Sequence, residues 1–301
     1  MPNLTVTKNS ILLLLLLVLA CSTEKRNQDD TTKTSHELEE VLAPSIKQVW
    51  ASDTSLRTPE SVLFDRDRKL IYVANVNMNP WEKDRNGFIS TMDLQGNIIN
   101  LKWIEELHGP KGMGILHNSL FVADIDEVVE IDIETSKIIN RYKVEGTPTL
   151  NDITIGNGVV YISGSDSNKV FELKDGVVTE ILSGDFGRPN GLFYEPERLL
   201  MLTSVSSTLK SINLETKDIT DLLDGLGHGD GIVPVGNGDY LASSWRGELF
   251  YITSDWQSIQ LLDTRDAEIN AADIDYMVDE NILLVPTFFD NRVVAYKLVM
   301  K

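Results

Sequence analysis

Six times after Glu60 the chain repeats one unit: a small or polar turn, a single polar residue, an apolar run, and an alternating strand about ten residues on. The polar anchors are Glu60, Lys111, Asn151, Asn190, Asp230 and Asp273, separated by 51, 40, 39, 40 and 43 residues. A period near forty with several short strands per unit suits a β-propeller, whose four-stranded blades bury their faces against one another around a channel. The expectation is therefore all-β: six four-stranded blades, with the anchors opening the first strand of each and forming one ring of polar side chains.

The units can be parsed strand by strand. In the second, Gly112 to Leu116, Leu120 to Asp124, Val128 to Ile133 and Ile138 to Val144 form four runs joined by short polar turns. The second strand recurs most clearly, as in Leu120-Phe121-Val122-Ala123 and Val160-Tyr161-Ile162-Ser163. Such apolar continuity suits strands covered on both faces. The last unit offers only three strands before Lys301, so Ser45 to Ala51 is expected to supply the fourth and close the ring. Up-and-down order then places the loops after each second strand on the anchors' mouth. Those loops carry Trp81, Trp245-Arg246 and Phe288-Phe289, with His228 just before the fifth anchor. The long Asn75 to Gly87 loop reads as a lid or specificity element.

Ahead of the blades the chain divides in two. Residues 1–20 contain an apolar run, Ile11 to Ala20, too short to span a bilayer, and read as an export signal. Val18-Leu19-Ala20-Cys21 resembles a bacterial lipobox, so Cys21, the only cysteine, is the expected lipidation site. Residues 21–44 are polar and read as a tether, and 45–301 as the propeller. The expected location is the bacterial cell envelope, with membrane contact through the lipid alone and the outer membrane preferred because Ser22 follows the cysteine. With 46 acidic against 27 basic residues the net charge is −19, which disfavours nucleic acid as a partner and attracts cations.

Glu60, Asn151, Asn190 and Asp230 offer two carboxylates and two amides, all hard oxygen donors. A divalent cation, calcium first, suits that set, and zinc is disfavoured because the ring holds neither His nor Cys. Asn190-Gly191 and Asp230-Gly231 are singly ordinary turn dipeptides. Their recurrence at one offset from strand two is what turn chemistry does not explain. There is no G-x-S-x-G elbow and no free thiol nucleophile.

Thr58-Pro59-Glu60, Leu150-Asn151-Asp152, Arg188-Pro189-Asn190-Gly191-Leu192 and Gly229-Asp230-Gly231-Ile232 resemble, in order and spacing, motifs of the regucalcin/gluconolactonase/luciferin-regenerating-enzyme family. That resemblance implies a six-bladed propeller with a divalent ion in its channel, and in many members lactone hydrolysis. It implies Glu60, Asn190 and Asp230 as metal ligands, Asn151 as a substrate contact or fourth ligand, and Asp230 as base or nucleophile. A small lactone or ester would be the substrate, entering past Trp81, His228, Trp245 and Phe288. Two departures stand out. Thr149 occupies a position where several lactonases carry arginine, and Lys111 sits in the ring. Lys111 could steady an oxyanion or bind an acidic substrate, or it could pair with Glu60 or Asp230 and weaken the metal site. A non-catalytic binding propeller, and other chemistry on the same metal channel, are the alternative readings.

Overall fold

The computed structural model describes residues 43–300. The expected leader over 1–20, Cys21 and the tether through residue 42 lie outside the described residues.

Six four-stranded antiparallel sheets are arranged as the blades of a propeller. Blade one runs Pro59–Asp65, Leu70–Asn75, Gly87–Met92 and Ile98–Leu107, from the channel outward. The innermost strands of the next four blades are Pro110–Leu116, Leu150–Gly156, Pro189–Glu195 and Gly229–Pro234. Each anchor in these five blades is the second residue of its strand, as the repeat predicts. Second strands are buried along almost their whole length, Val159–Gly164 being one example. Outermost strands such as Lys137–Lys143 are mostly exposed. Burial on both faces inside and one face outside explains why the inner strands read as apolar runs.

The core is a ring of six interfaces, each with its own apolar cluster. Ala74 and Ile89 of blade one meet Val122 and Val129 of blade two, and Phe121 and Val128 meet Ile153 and Phe171 of blade three. Tyr161 and Val170 then meet Leu192 and Met201, Leu200 and Leu202 meet Ile232 and Phe250, and Leu241 and Tyr251 meet Ile274 and Leu283. Val62, Val73 and Met92 pack on Leu284 and Val293 to join blade six to blade one. No blade has a core of its own, so each fold unit is stable only as part of the ring.

Closure follows the sequence expectation. Ser45–Ala51 pairs antiparallel with Val293–Val299, from Ser45 opposite Val299 to Ala51 opposite Val294. It completes the sheet that also contains Ile282–Pro286 and Asp275–Met277. A bulge between Gln48 and Trp50 turns the Trp50 indole onto the interface between blades six and one. The indole lies so close to Gly96 that an added Cβ would sit 2.5 Å from a ring carbon, and Gly96 also has a φ of +87°.

Candidate functional site

First strands enter the channel from a braced segment. The terminal residue of strand two provides the brace: Asn75 Oδ1 accepts the Arg57 N–H at 2.9 Å, both oxygens of Asp124 accept from His108, and Ser244 Oγ accepts the His228 N–H at 2.9 Å. Asp124 also accepts the Gly109 N–H at 2.8 Å. The close grouping of His108, Asp124 and Glu127 is thereby explained as a turn support, because the Asp124 oxygens are engaged with backbone.

Beyond the brace, five anchors turn their side chains into one cavity. Glu60, Lys111, Asn151, Asn190 and Asp230 line it together with Pro80, Trp81, Arg188, His228, Trp245, Phe288 and Phe289, around a volume of 310 Å³. The expected ring residues other than Asp273 are thus in one place with Trp81, His228, Trp245, Phe288 and Phe289 of the rim, whereas Arg246 does not line this cavity. Glu60 Oε2, Asn190 Oδ1 and Asp230 Oδ1 are buried and have no hydrogen-bond partner. Three orphaned oxygens facing one cavity are unusual, since buried acceptors are nearly always satisfied.

Burial pushes the Glu60 carboxyl well above its usual range, with the Lys111 charge opposing and Asp230 and Asp152 reinforcing the rise. Asp230 is pushed up to about 8, first by burial and then by the Asp152 charge, against the pull of Arg188, Asn190 and Lys111. Lys111 is held down by burial, with Glu60 opposing. His228 is likewise lowered, by burial and then by the charges of Arg188 and Arg246. All four shifts describe charge confined where water does not screen it.

Lys111 is not paired with either ring carboxylate among the described residues. Its ammonium donates to the carbonyls of Pro80 at 2.9 Å and Gly109 at 3.1 Å, and it lies 4.2 Å from the centroid of the Trp81 ring. An ammonium has three N–H groups, so two carbonyls and an indole face use all of them. Lys111 is therefore a strut tying the long blade-one loop to the ring. Lys83 paired with Asp126 tethers the same loop farther out. Lys111→Met should leave the Pro80 carbonyl free and raise amide exchange across Asn77–Asn86 about tenfold. Unchanged exchange would remove the strut role.

The sixth anchor needs correction. Asp273 bridges Ser61 in parallel register, its N–H donates to the Glu60 carbonyl at 2.9 Å, and Ser61 Oγ donates to its carboxylate at 2.7 Å. It thus stands level with Ser61, one residue beyond the ring, and the ring position belongs to Ala272, packed with Val76 and Phe288. One step along a strand reverses the side chain, so Asp273 faces the opposite end of the channel and cannot balance Lys111.

At that opposite end, Asp152, Asp273 and Asp275 line a second cavity with mostly aliphatic walls. Its carboxylates are engaged: Asp152 accepts from Leu192 and Ile153, each at 2.6 Å, and Asp275 from Phe64 and Tyr276, each at 2.7 Å. They stitch neighbouring first strands together and leave no orphaned acceptor. This stitching also assigns the glycines after the anchors, which lie inside strands. An added Cβ at Gly191 would sit 2.0 Å from the Asp230 carbonyl, and at Gly112 2.3 Å from Asp152 Oδ1. Close approach of adjacent strands, not a turn, fixes them.

At the rim, Phe288 opens a short 3-10 turn, Phe288–Asp290, and packs 5.7 Å from Trp245 and 4.9 Å from Phe289, ring to ring. His228 lies 6.2 Å from Trp245. Arg188 lines the cavity too, although the pattern of ring anchors does not single it out. The available signal was its offset, two residues before Asn190, as His228 stands two before Asp230. Thr149, at the same offset in blade three, is buried and its Oγ1 accepts the Asp166 N–H at 2.9 Å. In blade four the same offset is occupied by Arg188, which lines the cavity.

The sequence matches no protein-family model, and no curated protein matches it. Among solved structures the chain is similar to virginiamycin B lyase from Staphylococcus aureus, with a TM-score of 0.63 and 13% identity over 85% of this chain and 100% of that one. It is also similar to a chain of a nidogen/laminin complex, with a TM-score of 0.59 and 14% identity over 71% of this chain and 83% of that one. At such identities the likeness is one of fold: this chain is a six-bladed β-propeller.

Proposed function

We propose that the chain is a divalent-cation-dependent hydrolase of a lactone or related small ester, with the ion, calcium by preference, held by Glu60, Asn190 and Asp230 and by Asn151 of blade three as a fourth ligand. The observation that carries this reading is the set of three buried, unpartnered oxygens at Glu60, Asn190 and Asp230. They fit a hard cation in both donor type and charge, being two carboxylates and one amide. The motif resemblance to the regucalcin-like family adds support from the sequence side.

When bound, such an ion supplies Lewis acidity toward a carbonyl oxygen. The remaining work falls to the chain. Asp230, once ionised, takes a proton from the attacking water or attacks directly. Lys111 contributes a fixed positive charge beside the reacting carbonyl while its own hydrogen bonds stay with the backbone. Trp245, Phe288 and Phe289 form an apolar entrance that keeps water sparse around the reacting bond. The same reading keeps the protein at the cell envelope, anchored through Cys21.

Metal analysis of the purified protein, with a lactone panel assayed before and after chelation, tests the proposal. Expected are one tightly held ion per chain and a loss of turnover of about a hundredfold or more on chelation, restored by calcium. Full activity after the ion is removed would overturn it, as would a ring that takes up no ion from excess calcium. Ion and ligand binding without turnover of any ester would leave a binding propeller.

A further inference from the structure

We infer that the substrate of this cavity carries an anionic group, of the carboxylate class, received by Arg188 in the field of Lys111. The inference rests on the hydrolase reading for the reacting bond but stands on separate residues. Arg188 lines the cavity with its backbone in the left-handed region, at a φ of +66°, a conformation that a non-glycine residue holds only at some cost. Its side chain is set from behind: Nε donates to Asp166 Oδ1 at 2.7 Å and Nη1 to Ser204 Oγ at 3.2 Å. Among the described residues Nη2 has no partner. A guanidinium anchored through Nε and Nη1, with its Nη2 edge open, is pre-organised to receive a carboxylate.

The surroundings favour an anion at that open edge. Lys111 and Arg188 both approach the Trp81 ring, at 4.2 Å and 6.0 Å from its centroid, so two like charges share one indole. The Arg188 charge is among the influences that depress both Lys111 and His228. Among the described residues lining the cavity, only Glu60 and Asp230 oppose these cations, and a divalent ion at the ring would satisfy those two. The solvent-facing Asp166 offsets Arg188 from outside, being 54% exposed. The loaded cavity then holds a surplus of positive charge although the chain as a whole is acidic, and an anionic substituent on the substrate removes it.

The test is calorimetric titration of the full chain with tetrahydrofuran-2-carboxylate and, separately, its neutral amide tetrahydrofuran-2-carboxamide. The two share a ring shape and contain no bond for the enzyme to cleave. With calcium present the carboxylate should bind about tenfold tighter than the amide. Arg188→Gln should erase that preference, and Asp166→Asn, which removes the competing carboxylate, should widen it. A direct contact between the carboxylate and calcium would instead survive Arg188→Gln, and that result overturns the inference. Equal affinity for both probes overturns it too. Should the chain bind no calcium yet retain an Arg188-dependent preference, the hydrolase reading falls and the anion site stands. Should it bind calcium and open lactones while ignoring the probe's charge, the reverse holds.

Discussion

Asp230→Asn should melt higher than the parent protein at pH 8 without calcium, while turnover falls by about a thousandfold or more. The two halves of this result share one cause. The Asp230 carboxyl is pushed up to about 8 by burial and by the neighbouring Asp152 charge, whereas in an unfolded chain it would titrate near 3.9. Its folded pKa is the higher one, so between those values the folded state holds the extra proton. Its contribution to stability is complete below the unfolded pKa and is lost as pH rises through about 8. Glu60 and Asp273, raised by burial first, and Asp152, pushed up to about 7, act in the same direction. The calcium-free protein should therefore lose stability steadily from pH 5 to pH 9.

Replacing Asp230 by its amide removes one of these buried charges and provides an N–H for the orphaned Asn190 Oδ1. At pH 8 the gain is on the order of a few kcal/mol, or about 5 °C or more in Tm for a domain of this size. Calcium should raise the parent's Tm strongly at pH 8 and hardly at pH 5, where protons compete for the same oxygens. For the variant it should do little at either pH. Thermal melts of the two proteins across pH, with and without calcium, check all of this. A variant less stable than its parent at pH 8 in chelator would mean that the Asp230 oxygen is satisfied and has no need of a cation.

How much of this could be read from the chain follows from where each residue's partners lie. Strand two of every blade was legible because burial on both faces writes itself as an apolar run, as in Leu199-Leu200-Met201-Leu202. The closing strand was legible because the last unit is one strand short and Ser45–Ala51 has nowhere else to pair. The repeat points to Asp273 because it offers a polar residue in every blade, whereas blade six has Ala272 at the ring. The distinguishing quantity is register against Glu60 and Ser61, contacts more than two hundred residues away in sequence. The repeat puts Lys111 in the cavity, but its partners, the carbonyls of Pro80 and Gly109, depend on how a long loop folds back. Only the packed molecule decides that geometry. Arg188 belongs to the Arg188-Pro189-Asn190-Gly191-Leu192 motif, but its left-handed backbone and its place in the cavity depend on packing that the local sequence does not carry.

Deleting residues 45–51 should abolish cooperative folding of the propeller or lower its Tm by about 10 °C or more. The strand's main-chain bonds to Val293–Val299 would go, and so would the cover that Ile46 provides for the blade five–six cluster and Trp50 for the blade six–one cluster. Trp50→Ala alone, which keeps the main-chain ladder, should cost about 2–4 kcal/mol. The larger effect of the deletion comes from topology. Each apolar cluster is shared between two blades, so loosening blade six exposes both of its interfaces and leaves blades one and five half-covered. The uncovered Val293–Val299 strand would also offer an unpaired edge to a second molecule, and soluble deletion protein should form dimers or aggregates. Melting and light scattering of the two variants decide the matter. An unchanged melting temperature after the deletion would mean that the ring is held shut by its inner strands alone. The parallel contact of Ser61 with Asp273, a single bridge outside the sheets, would then be carrying a closure for which it is too small.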